Sequence, residues 1–155
     1  MSKLIITGYK DFEKLVGEEL GVSDYLKISQ DQINQFGDAT LDPQWIHTDP
    51  ERAKKESPFG TTIAHGYLTL SIIPHLWEQI ADVSNFKMMI NYGIESLRFQ
   101  QPVTVDSEVR LRVWLKSVKD LRGVTKVEMD AKLEIKDQKK PAFSITLVFL
   151  YHFNS

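Results

Sequence analysis

Cysteine is absent from the 155 residues, which excludes disulfides, thiol nucleophiles and thiolate metal sites. No apolar run approaches the roughly 20 residues of a membrane-spanning helix. The N-terminal run Leu4-Ile-Ile6 is too short for the core of a secretory signal. A cytoplasmic protein with no membrane partner is the expectation. An excess of one charge is missing too: 19 Lys and Arg face 21 Asp and Glu, for a net charge of -2. Without a basic run, the electrostatic footprint of a nucleic-acid binder is lacking. There is no Gly-x-Ser-x-Gly elbow, phosphate-cradling glycine loop, His-x-x-x-His pair or EF-hand spacing. No resident metal is therefore expected. Repeats, low-complexity tracts and linkers are also wanting.

What remains is a globular composition, 42% hydrophobic and 26% charged, long enough to bury a core as one domain over residues 1–155. Phe12, Leu15, Val16 and Leu20 keep helical spacing ahead of Gly21, which predicts a short amphipathic helix in the second ten residues. Tyr25 to Ile28 reads as a strand. Ser29 and Gln32 form a capping-box pattern, starting a helix that carries Ile33 and Phe36 and stops near Gly37. A further helix begins near Thr48-Asp-Pro-Glu51.

Tyr67 to Ala81 is apolar on nearly all sides and should be a buried helix, with Leu70 in the core. Pro74 is expected to kink or divide it. The period then changes to two. Val109 to Leu115, Val127 to Ile135 and Phe143 to Tyr151 alternate apolar residues with polar or mixed ones. These are three strands with one face buried, joined by turns at 119–123 and 136–141. A less regular fourth runs from Ile90 to Phe99. Helices first and an antiparallel meander afterwards make an α+β fold, with the curved sheet wrapped around the apolar helix.

Chemistry gathers in one segment. Asp42 and His47 stand five residues apart in Leu41-Asp-Pro-Gln-Trp-Ile-His47, a spacing that a helix would splay and a loop can close. Eighteen residues later, His65-Gly66 opens the apolar helix. A carboxylate, an imidazole and a glycine amide at a helix start suit proton transfer and oxyanion stabilisation. Taken singly, Asp42 before proline is an ordinary turn starter and Gly66 a permissive backbone position. His65 is as suited to structural hydrogen bonding as to reaction. His75 and His152 lie outside the cluster and read as structural. Order and spacing lift Asp42, His47 and Gly66 above the ordinary.

Three phrases carry a resemblance: Asp42-Pro-Gln-Trp-Ile-His-Thr-Asp-Pro-Glu-Arg-Ala53, Ser57-Pro-Phe-Gly followed by Ile63-Ala-His-Gly-Tyr-Leu-Thr-Leu-Ser71, and Leu97-Arg-Phe-Gln-Gln-Pro-Val103. In this order they resemble the MaoC-like dehydratase family with its (R)-specific enoyl-CoA hydratases, and most of all its nodulation-protein N-like branch. The resemblance implies a hotdog fold with one long central helix, and a homodimer whose acyl tunnel lies near the subunit interface. It implies a hydro-lyase with Asp42 and His47 as catalytic pair and the Gly66 N–H in the oxyanion hole. The substrate would be an acyl-CoA or acyl-carrier-protein thioester, with no cofactor beyond the CoA of the substrate itself. Pro74 stands where some hydratases use a serine to orient the aspartate, so that support must come from elsewhere. A carrier-protein dehydratase, a hotdog thioesterase and a non-catalytic acyl-thioester-binding module are the alternatives. Nothing in the spacing selects residues for the nucleotide end.

Overall fold

The computed structural model of the protein describes residues 2–155. Its N-terminal half holds β1 (Leu4–Ile6), α1 (Tyr9–Glu13), β2 (Glu19–Val22), β3 (Leu26–Lys27), α2 (Gln30–Thr40), α3 (Trp45–Thr48) and α4 (Pro50–Glu56). After these come α5 (Gly66–Ser71), α6 (Ile73–Ile80) and β4 (Ala81–Val83). Four long strands finish the chain: β5 (Phe86–Phe99), β6 (Glu108–Leu121), β7 (Val124–Ile135) and β8 (Phe143–Phe153).

The alternating stretches form the centre of the sheet. Its order is β2-β6-β7-β8-β5, all antiparallel, with β3 also on β6. Val109, Leu111, Val113 and Leu115 on β6 are buried beside Val127, Met129, Ala131 and Leu133 on β7. With a side-chain period of two, this register sends one whole apolar set inward. There it meets Leu68, Ile73, Leu76, Trp77 and Ile80 of α5 and α6 in a single core. Trp77 Nε1 donates to the Tyr151 hydroxyl at 2.8 Å, satisfying both polar tips of two buried aromatics. Burial pushes the Tyr151 phenol up to about 12. The fold is α+β, an antiparallel sheet packed on a central helix, as the sequence predicts.

Three local expectations need correction. The central helix is not one long rod: α5 ends at Ser71, and Ile72 caps it with φ -85° and ψ -5° before α6 begins with Pro74 in its first turn. A proline ring has no N–H to continue the ladder, so the chain restarts there. Leu70 is only partly buried. The helix expected across the second ten residues covers Tyr9–Glu13 alone. Glu19, Gly21 and Val22 instead pair with β6, and Leu20 sits buried at a bulge between them, because a partner strand gives this segment more to pack against than an isolated helical turn would. Lastly, α2 does not stop at Gly37 but runs on to Thr40, with Ser29 Oγ accepting from Gln32 N–H at its start.

The segment between α4 and α5 is stitched to the connection between β5 and β6. Ala64 N–H donates to the Val103 carbonyl at 2.8 Å and Val105 N–H to the Thr62 carbonyl at 3.0 Å. Those bonds set the entry to α5 at the end of β5.

Candidate active site

The turn after α2 brings Asp42 into place. Leu41 adopts the left-handed conformation with φ 61°, so the chain folds back and Asp42 N–H donates to the Gly37 carbonyl at 2.9 Å. A Cβ at Gly37 would stand 3.0 Å from the Asp42 carbonyl oxygen; glycine here leaves room for the turn. On its other side the same carbonyl accepts from His65 Nε2–H at 3.0 Å. The Asp42 backbone is thus gripped twice, while its carboxylate stays half exposed, 3.8 Å from His65 Nε2.

His47 lies on α3, a single turn rather than the loop expected from the sequence. Its Nδ1 is 2.7 Å from the Ile63 carbonyl oxygen. A carbonyl only accepts, so Nδ1 carries the proton and the neutral ring keeps its lone pair on Nε2. Burial holds His47 below the ordinary histidine value, with His65 pushing the same way, against the Ile63 bond and Asp42, which favour the charged form. Neutral His47, the form a general base requires, is thereby favoured.

His65 stacks on His47 with ring centres 3.9 Å apart and planes at 25°, and Phe36 packs at 5.0 Å. Its Nδ1 is buried without a hydrogen-bond partner. One donor atom from each of Asp42, His47 and His65 lies within 4.8 Å of the others. Two groups at that separation can share one water at hydrogen-bond distances of about 2.8 Å. These are donor types that zinc accepts. However, the two rings lie face to face rather than converging edge-on, and His65 spends its Nε2–H on the Asp42 carbonyl, on the side of the ring that faces the carboxylate. The arrangement suits a water shared between Asp42 and His47 better than a metal cage.

Gly66 is exposed at the first position of α5, and its amide makes no hydrogen bond among the described residues. A Cβ there would lie 3.1 Å from two ring carbons of Phe99, so a glycine lets that ring sit against the helix start where a larger residue would push it aside. Two cavities meet at this point. One, of about 530 Å³, is lined by Phe36, Thr40, Asp42, His47, His65, Gly66, Tyr67 and Phe99. The other, of about 350 Å³, shares His47, Gly66 and Phe99 and continues along Gln100–Val103 to Ala142. An apolar groove of about 320 Å³ follows one turn along α5, between Leu70, Pro74, Ile94, Leu147 and Phe149.

The structure therefore brings Asp42, His47 and Gly66 to one cavity. It places Pro74 in the groove instead, so the grip on Asp42 comes from His65. Sequence reasoning left His65 undecided and gave Gly37 and Phe99 no part in the site. One signal was available for His65: it occupies the N-cap of α5, where Ser, Thr, Asp or Asn is usual, and caps nothing with its side chain.

Known proteins resemble this chain in sequence and in fold. The MaoC like domain family matches residues 11–137. The 3-hydroxyacyl-thioester dehydratase Z of Mycobacterium tuberculosis is 45% identical over 133 residues, covering 85% of this chain and 87% of that protein. Nodulation protein N of Rhizobium meliloti is 39% identical over 148 residues, or 93% and 91% of the two chains. Among solved structures, a MaoC-like dehydratase from Rhodospirillum rubrum superposes with a TM-score of 0.72 at 20% identity, covering 92% of this chain and 97% of that one, and so shares the hotdog fold. By fold, by family match and by relatives along nearly its whole length, this chain belongs to the MaoC-like dehydratase family.

Proposed function

We propose that the protein is a hydro-lyase that reversibly adds water to a 2-enoyl thioester: an (R)-specific 2-enoyl-CoA hydratase, or in reverse a 3-hydroxyacyl-CoA dehydratase. The observation that carries this is the convergence of Asp42 and His47 within 4.8 Å, on a cavity that also exposes Gly66. The relative named a 3-hydroxyacyl-thioester dehydratase, at 45% identity, supports the same chemistry.

In this reading one water is held between the Asp42 carboxylate and the His47 Nε2 lone pair. Its oxygen bonds to C3 while the pair takes one proton. Charge flows to the thioester oxygen, where the Gly66 N–H donates to it. A proton from the pair then reaches C2 on the same face, and the atoms of one water are accounted for. Positioned acid–base help of this kind is worth about a hundred- to ten-thousand-fold in rate. No redox or group carrier is needed, so we propose no cofactor beyond the CoA portion of the substrate.

The groove beyond Gly66 would take the acyl chain. β5 pairs on one side only and exposes Ile90, Tyr92 and Ile94, which supports a homodimer formed over that edge. No helix among the described residues is long and apolar enough to cross a membrane, in keeping with a cytoplasmic enzyme.

The test is hydration of crotonyl-CoA, followed by loss of the conjugated double bond, with thiol release monitored in parallel. Wild type should hydrate without releasing thiol, and Asp42→Ala and His47→Ala should each fall by at least about a hundredfold while remaining folded. Retained turnover in both variants would remove the assignment. Thiol release in place of hydration would make the protein a thioesterase. Turnover only of a carrier-bound substrate would change the partner and leave the chemistry intact.

A further inference from the structure

His47 is held by more than its ring. Gln30, the first residue of α2, points its side-chain amide at three groups. Its Nε2 donates to the His47 carbonyl at 2.7 Å and to Asn34 Oδ1 at 2.9 Å, and its Oε1 accepts from Thr62 Oγ1 at 2.5 Å. The orientation of this amide follows from its partners: a backbone carbonyl can only accept, so the nitrogen must face His47. Thr62 is fully buried and precedes Ile63, whose carbonyl accepts from His47 Nδ1. Ile63 N–H in turn donates to the Ile46 carbonyl at 3.1 Å.

These bonds close a ring. Thr62 holds Gln30, Gln30 holds the backbone of His47, and the His47 side chain returns to the residue after Thr62. We propose that Gln30 and Thr62 are positioning residues for His47, clamping the single turn of α3 so that the imidazole keeps its tautomer and faces the cavity. The clamp matters because α3 is too short to hold itself: four residues make one helical turn, and isolated turns of that length are unstable. Its three anchors on the 62–63 segment and α2 replace the stability the helix lacks. Neither side chain lines the cavity shared with Asp42, so neither is expected to touch substrate.

The kinetic part of this proposal rests on the hydratase reading, and the test separates the two. Wild-type turnover of crotonyl-CoA judges that reading. The clamp is judged by Gln30→Leu and by the isosteric Thr62→Val, compared with Thr62→Ser, which keeps the hydroxyl. A displacement of about 1 Å can cost about a hundredfold in rate. Both Gln30→Leu and Thr62→Val should therefore lower kcat by about tenfold or more with KM little changed, and Thr62→Ser should recover most of the loss. The acid limb of the pH–rate profile should move up toward the ordinary histidine range, as water reaches a ring no longer pressed into place.

Imidazole nitrogen NMR supplies a readout independent of turnover. Wild-type His47 should show a protonated Nδ1 and a bare Nε2, and Thr62→Val should show mixed tautomers. Folded variants with wild-type kcat, pH profile and tautomer would overturn the clamp. So would a Thr62→Ser protein as impaired as Thr62→Val. If wild type proves inactive but the tautomer still mixes in Thr62→Val, the clamp stands and the hydratase reading falls.

Discussion

A histidine that acts as a base must be neutral when substrate arrives, and the surroundings of His47 favour that form. Burial is the leading cause of its depressed pKa, with the stacked His65 adding to it. The sign follows directly. Turnover should persist below the ordinary histidine value of 6.5 and fall only at lower pH, as His47 becomes protonated. Stability shares the direction, since the unfolded chain binds the proton first. The His47 contribution is complete above about 6.5 and fades as pH drops toward the depressed value. A pH profile of kcat/KM whose acid limb lies at or above 6.5 would contradict this environment. At this scale motif order and residue chemistry singled out Asp42, His47 and Gly66, and the structure places all three on one cavity. The sequence could not show Gln30 or His65, which act across gaps of 17 and 23 residues. Such roles are created when the chain folds and leave no local trace.

Elements with a strong period were read correctly, and those decided by partners were not. β6, β7 and β8 alternate cleanly and appear where the pattern placed them. The 12–21 stretch fitted a helix by spacing, but Glu19, Gly21 and Val22 found β6 to pair with and left Leu20 buried at the bulge. In the central helix the apolar residues were plain, and the break at Ile72 followed from Pro74. Burial within it is uneven: Leu70 faces the groove, whereas Leu76 is fully buried in the core. Leu76→Ala should therefore cost about 2–5 kcal/mol, measured by denaturant unfolding with m-value checked. A loss below 1 kcal/mol would mean that α6 is not packed as described. The break takes little from α5 electrically. Helix-end fields arise from the unpaired N–H groups of the first turn and fade beyond it, so the six residues of α5 already supply what Gly66 needs.

For the molecule as a whole, the open question is β5. A 14-residue edge strand with exposed Tyr92 and Ile94 is a liability unless something covers it. A second copy would do so and would close the groove against Leu70 and Pro74. Ile94→Lys should convert a particle of twice the chain mass into one of single mass, as read by sedimentation. A wild type that sediments as a monomer would end the dimer proposal. Nothing in the sequence marked β5 as an edge: its pattern is irregular because its pairing with β8 shifts register three times and most of its residues are exposed.

The stitching of residues 62–64 to the connection between β5 and β6 has a lasting consequence. In the proposed reading the Asp42–His47 pair, its clamp and the oxyanion donor all come from one stretch, Gln30 to Gly66, while much of the surrounding wall comes from Phe99–Val103 and the sheet beyond it. Mutation can therefore reshape the container without rewriting the reagents inside it. A lineage built this way can change what it accepts long before it changes what it does.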